Sequence, residues 1–391
     1  MNAVKEKTVL EENKSEQPTD GKKRSKAGSK RFIIFIAVYA AVVILLNVLA
    51  KSRSFADFYT DHIFGIWSDT YGRLTGIFPF SVGEILIAAA VILLLAMLVI
   101  SVALVFMRKL EKLGSFAVKY LKFVLVTFLS VVLVMTLNCN IPYSCSKLDI
   151  KGHRGKTYTT EQILIVRNHF IEECASLAEK MERDENGAIV FRGDTDAEVR
   201  KAMQSLSEEY PRFKGYYPKP KGILGSYFMY QSNIIGVYFP FSMEANYSRY
   251  LSSSFYPNTT AHELSHLKGY MFEDEANFFS FLACTSSECD YVRYSGYLGA
   301  LYYIDNDYYA RVDDETYLKQ PQIPDIVRFD DNCYDSETVK ALEKKKPVVK
   351  DEVMEEINET ITDTYMSYYD VTPNYSEVTF LILQYYDGIL F

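Results

Sequence analysis

Residues 262–277 read His262-Glu263-Leu264-Ser265-His266-Leu267-Lys268-Gly269-Tyr270-Met271-Phe272-Glu273-Asp274-Glu275-Ala276-Asn277. In a helix, His262 and His266 stand four residues apart and project from one face. Two imidazoles at that spacing can hold one zinc ion, and Glu263 between them can reach a water activated by the metal. The pattern points to metal-assisted hydrolysis, most often of peptide bonds. The chain has five histidines, His62, His153, His169, His262 and His266, so the pairing does not come from a histidine-rich background. The plain alternative is a helix that happens to carry two surface histidines. Against it, the flanking Thr259, Thr260, Ala261, Leu264, Ser265 and Leu267 are uncharged, as a helix beneath a cleft requires.

A catalytic zinc takes three protein ligands and leaves a fourth position open. Gly269 can end the motif helix, because glycine enters the left-handed conformation without a Cβ penalty. The chain can then reverse through Tyr270, Met271 and Phe272 and start a second helix near Glu273, bringing a carboxylate back to the metal. Glu273 and Glu275 are both candidates. Residues 273, 277 and 280 share one helical face, whereas Glu275 lies about 200° around from Glu273. That argument favours Glu273 and leaves Glu275 as a solvated acid near a helix N-terminus, where negative charge is favourable.

Three apolar runs precede this region. Residues 32–50 and 85–107 carry no charge and are long enough to cross a bilayer, and a third run covers about 120–138, with Lys119 and Lys122 able to snorkel at its start. Two further spans follow the first, whose apolar core is too long for a cleaved signal peptide. The expected organisation is a basic tail (1–31), a membrane domain with three transmembrane helices (32–138) and a separate domain (139–391). Lys22, Lys23, Arg24, Lys26, Lys30 and Arg31 in the tail, with Arg108, Lys109, Lys112, Lys119 and Lys122 in the second loop, put those segments in the cytoplasm by the positive-inside rule. Three crossings then place residues from 139 onward outside.

Charge divides at the same boundary. Residues 1–138 hold 17 basic and 10 acidic residues, a net of +7; the remainder holds 42−17 = 25 basic and 50−10 = 40 acidic, a net of −15. An acidic outer domain and a basic inner tail argue against nucleic acid as a partner. All six cysteines (139, 145, 174, 284, 289 and 333) fall after the last span, where disulfides are permitted and fifteen pairings are open. Aromatic residues from Phe55 to Phe80, between the first two spans, suit a helix lying in the membrane interface.

The rest reads as mostly helical. Thr159-Thr160-Glu161 opens an amphipathic helix to about Arg183, Asp194 starts another ending before Pro211, and 218–221 reads as a loop. Residues 234–241 (IIGVYFPF) alternate enough for a strand, with Pro240 compatible with a sheet edge. Helices follow at 273–287, from Tyr291, near 336–346 and 350–368, and near 376–388. Among Tyr291, Arg293, Tyr294 and Tyr297, packing is the simpler role and oxyanion stabilisation the alternative.

Two resemblances sharpen the expectation. The run Glu273-x-x-Ala276-Asn277 resembles the second helix of gluzincin-like proteases, which implies Glu273 as metal ligand and Asn277 as hydrogen-bond partner of a ligand histidine. The run from Tyr238 to Leu301 resembles an uncharacterised bacterial family of membrane-anchored zincins, with three N-terminal membrane helices and an HExxH domain, and the resemblance extends over most of the chain from the first span onward. It implies a multi-pass cell-membrane protein with a gluzincin-like α+β domain on a mainly α chain. The expectation is a zinc metallopeptidase of the cell envelope acting on a peptide or protein, with His262, His266 and Glu273 on Zn2+ and Glu263 as the proton-transferring residue. The rival is a non-catalytic zinc-containing envelope sensor or assembly module.

Overall fold

The computed structural model describes residues 20–360 and 375–391, apart from Arg154, Val348 and Asp351. The first nineteen residues of the basic tail, and residues 361–368 of the helix expected over 350–368, lie outside them. The described chain is mainly helical, with one small sheet.

Three long helices, α1 (Asp20–Ala50), α4 (Val82–Phe106) and α5 (Leu110–Met135), contain the apolar runs. Candidate membrane spans cover Ser29–Ala50, Val82–Phe106 and Glu111–Tyr143, and at most 6% of each is buried inside the protein. Apolar helices that hide so little of their surface in protein need another apolar phase, and a bilayer supplies it. The third span starts earlier than the sequence reading placed it, because Lys112, Lys119 and Lys122 sit within the helix. Polar contacts tie its far end to the first span: Tyr39 donates to Ser130 Oγ (3.0 Å) and Asn47 Nδ2 to Thr136 Oγ1 (2.8 Å).

The 51–81 segment is divided between two environments. Between the short helices α2 (Arg53–Tyr59) and α3 (Gly65–Gly76) lies a π-helical turn (Thr60–Phe64); Ala56 and Tyr59 of α2 and Phe64 of the turn enter the same hydrophobic core as the residues after 139, while Phe58, Ile66, Leu74, Ile77 and Phe80 stay exposed. The aromatic spacing read as an interfacial helix therefore describes the outer face only.

After α6 (Ile141–Tyr143) comes α7 (Thr160–Ala178), opened by a capping box between Thr159 and Gln162 and ending five residues before Arg183. Next is α8 (Thr195–Ser205). The sheet has the order β1-β3-β2, from β1 (Lys221–Ile223), β2 (Gly236–Phe239) and β3 (Glu244–Ser248), with α9 (Ser226–Gln231) between the first two. β1 pairs parallel and β2 antiparallel with β3, so β2 is an edge. β1 overlaps the expected loop at 218–221, and β2 falls inside the expected strand.

Helices α10 (Tyr256–His266), α11 (Glu273–Thr285) and α12 (Asp290–Tyr309) pack on α7 and α8. The short α13 (Asp314–Leu318), α14 (Asp325–Asp330), α15 (Ser336–Glu343) and α16 (352–360) precede α17 (Tyr375–Tyr386). Phe170, Phe281, Tyr297 and Tyr386 gather α7, α11, α12 and α17 around tilted and edge-to-face rings with centroids 5.4–6.3 Å apart. All six cysteines are free thiols, and Cys284 is a fully buried core residue. The permitted disulfides do not form.

One buried carboxylate joins sheet and membrane helices. Glu244 on β3 is bonded to Lys221 on β1 and accepts from Ser242 Oγ (2.7 Å), Val82 N (3.1 Å) and Gly83 N (2.9 Å). It thereby takes up two of the unpaired amides of the second span's first turn, where negative charge is favoured. Glu84 returns the contact, accepting from Leu224 N (2.9 Å) and Gly225 N (2.8 Å).

Candidate metal centre

α10 begins with Pro257 in its first turn, where a missing N–H costs nothing. It ends because Gly269 adopts φ +88°, and because a Cβ there would run into Thr60 of the preceding loop. Tyr270, Met271 and Phe272 reverse the chain, and α11 opens with Glu273, Asp274 and Glu275 in its first turn, complementing the helix dipole.

The reversal delivers Glu273 to the two histidines. Its Oε2 is 3.2 Å from His262 Nε2 and its Oε1 3.7 Å from His266 Nε2; the two Nε2 atoms are 3.1 Å apart. The second ring nitrogens are spoken for: His262 Nδ1 lies 2.9 Å from Asn277 Oδ1 and His266 Nδ1 2.8 Å from the Tyr270 carbonyl. A carbonyl only accepts, so Nδ1 of His266 carries the proton and its Nε2 lone pair faces the cluster. Neighbouring ligand atoms around a tetrahedral zinc with bonds of ~2.05 Å stand about 3.3 Å apart. The observed 3.1 and 3.2 Å match that edge, and 3.7 Å is slightly open. The donor set fits a zinc ion.

The charge balance points the same way. Burial opposes charge on His262, but the bonded Glu273 outweighs it and holds the imidazolium up to about 9. His266, stripped of solvent, is pushed down to about 4. For Glu273 the desolvation is overcome by the His262 hydrogen bond and the histidine charges, which hold its carboxyl down to about 2. A shared positive charge is what this trio favours, from a proton or from a metal.

Glu263 lies beside the trio without joining it. It is 5% exposed, its Oε2 has no hydrogen-bond partner, and burial raises its carboxyl to about 8. Strand β2 crosses directly over it: the Tyr238 N–H faces its carboxylate, and a Cβ on Gly236 would collide with Oε1. Only glycine admits so close a passage. Together these elements wall a cleft of about 860 Å³, whose lining includes Gly236, Val237, Tyr238, Tyr302 and Tyr303, and also Met135, Cys139 and Tyr143 from the end of the third span.

Thus His262, Glu263, His266 and Glu273 come together, and Asn277 stands where the resemblance implied. Glu275 does not join them: its Oε1 accepts from Leu148 N (2.6 Å) inside the core. Tyr291 and Tyr294 donate to the Ser253 carbonyl (2.7 Å) and Asp330 Oδ2 (2.6 Å), and so serve packing; the α12 tyrosines at the cleft are 302 and 303. Gly236 was within reach of sequence reasoning, since a glycine inside a strand pattern marks close approach of another group. The contribution of Met135 and Cys139 was not, because nothing local links a membrane helix to a cleft.

A family model described as "Protein of unknown function (DUF3810)" matches residues 59–383 of the 391. The chain belongs to the DUF3810 family. The DUF3810 match starts inside the first loop, after the first span, later than the resemblance suggested. It includes His262, Glu263, His266, Glu273 and the whole sheet. No curated protein and no solved structure matches the chain.

Proposed function

We propose that this chain is a membrane-anchored zinc metallopeptidase of the zincin type, with a gluzincin-like arrangement of ligands, that hydrolyses peptide bonds at the outer face of the cell membrane. The observation that carries it is the meeting of His262, His266 and Glu273 around one point beside the buried Glu263 carboxylate, whose Oε2 has no hydrogen-bond partner. A zinc ion held by the three side chains supplies Lewis acidity and lowers the pKa of water.

The remaining work falls to the protein's own groups. Asn277 and the Tyr270 carbonyl keep both imidazoles turned with Nε2 inward. Glu263 takes a proton from the attacking water as the new C–O bond forms, and delivers it to the leaving amine nitrogen as the C–N bond breaks. Burial raises its carboxyl above the usual carboxylate range, which strengthens it as a proton acceptor. The outer edge of β2 offers the main-chain groups of Gly236 and the Tyr238 carbonyl to an extended substrate, the Tyr238 N–H being turned to Glu263, and a sheet edge commonly binds a peptide in this way. Outward orientation is supported by the lysine and arginine bias of the tail and second loop.

The non-catalytic rival, a zinc-containing sensor or assembly module, calls for a closed site with four protein ligands. Among the described residues the cluster contains three. The test is zinc content of the purified full-length protein, followed by incubation with a degenerate peptide pool. One zinc per chain, and cleavage that disappears in Glu263→Gln while zinc is retained, is the expected result. Zinc without cleavage in any pool would transfer the site to the rival.

A further inference from the structure

Strand β2 has one end over Glu263 and the other on the membrane helices. At the far end, Phe239 lies on the first turn of the second span, so close that a Cβ on Gly83 would meet its ring at 2.6 Å. The third span holds the same end: Asn138 Nδ2 donates to the Pro240 carbonyl (2.8 Å), and Tyr238 Oη donates to the Asn138 carbonyl (3.4 Å). At the near end, Gly236 touches the Glu263 carboxylate, and the Tyr238 N–H faces the same group. Three residue steps separate Phe239 from Gly236, about 10 Å of extended chain.

The cleft itself descends along this path. Met135, which lines it, sits roughly one helical turn before Asn138, within the third span. Cys139 and Tyr143 continue the wall upward to the metal ligands. Around the same level Ile77, Phe78 and Phe80, between α3 and the second span, present exposed apolar side chains, as a surface seated in a membrane interface does. The wall of the cleft therefore includes the end of the third candidate span, and the outer edge of β2 runs from there to Glu263.

We infer that the substrate is itself membrane-anchored, a polypeptide that enters in extended form beside β2 and is cut within about three to six residues of where it leaves the bilayer. This rests on the peptidase reading above and adds to it a substrate class and a cutting distance. A chain leaving the membrane beside the third span meets the strand edge at once. A soluble peptide has to find the same edge at the base of a cleft bounded by lipid.

The test uses the full-length protein, zinc-loaded and reconstituted in phospholipid vesicles. Three pools of short peptides with the same randomised core are compared: one acetylated, one carrying a palmitoyl chain directly, and one carrying it through a flexible Gly/Ser spacer of about 20 residues. Products are mapped by mass spectrometry, with Glu263→Gln as the blank. The expected result is a rate at least about tenfold higher for the directly anchored pool, with cuts clustered three to six residues from the anchor and little cutting beyond the spacer. A flat map of cuts, or equal rates for the direct and spacer pools, overturns the inference while leaving the peptidase reading in place. No cleavage of any pool above the blank overturns the peptidase reading, and this inference with it.

Discussion

Asn277 Oδ1 receives the Nδ1 proton of His262 at 2.9 Å, a contact made across the turn that separates the two helices of the metal centre. The bond fixes which nitrogen of His262 faces inward. Asn277→Ala is expected to weaken zinc binding by about 10–100-fold while the fold stays intact. Zinc titration with a competing chelator measures it, and an unchanged affinity would show that α10 alone orients the ring.

Glu273 and Glu275 separate cleanly as variants. On the proposed reading Glu273→Ala is expected to lose zinc, since its carboxylate completes the group of three side chains that could hold a metal ion. Glu275→Ala is expected to keep zinc and to cost about 1–3 kcal/mol of stability, because the Leu148 N–H loses its acceptor in the core. Zinc content and thermal unfolding, taken together, distinguish the two. Saturating zinc at about 100 times its dissociation constant should add about 2.7 kcal/mol to the wild type, and nothing to the His262→Ala/His266→Ala double variant.

Gly236→Ala isolates Glu263 from the metal ligands. The added methyl group collides with the Glu263 carboxylate, to which its three nearest atoms all belong. Zinc binding should be unchanged and peptide hydrolysis should fall about a hundredfold, the scale expected when a catalytic group is displaced by an ångström. Loss of zinc in this variant would mean that β2 supports the metal site as a whole.

The motif could be read ahead of the fold because its information is local. Two histidines at helical spacing, a glycine three residues after the second and a glutamate four residues beyond that determine one another through the geometry of a single turn. The three spans were legible for the same reason, as continuous apolar runs. β3, Glu-Ala-Asn-Tyr-Ser, was not: its charged first residue reads as a loop unless one knows that Lys221 and the Val82–Gly83 amides wait for it far along the chain. The inner face of 51–81 escaped for a related reason. Aromatic spacing shows that a helix has an apolar side, and does not show whether lipid or protein covers it.

Glu244 tests that long-range junction directly. Glu244→Ala leaves Lys221 buried and unpaired and uncaps the second span, and should cost about 3–5 kcal/mol. Adding Lys221→Met is expected to recover much of the loss, since removing both charges is far less costly than removing one. Denaturation in detergent micelles gives both numbers; equal destabilisation in the single and double variants would show that the cap matters more than the ion pair.

Trp67, the sole tryptophan, reports on the loop face. It is 36% exposed, and its Nε1 donates to Tyr59 Oη at 2.9 Å. In vesicles its fluorescence should be quenched more by lipids brominated near the headgroup than by lipids brominated near the chain end. The reverse order would place α3 at a different depth.

Among the described residues Ala56, Tyr59 and Phe64 fill the interior shared with α7, α10 and α11, so the part after the third span does not close on a core of its own. A cut after the third span would remove part of the core along with the anchor, so a released fragment would lose its fold and its chemistry together.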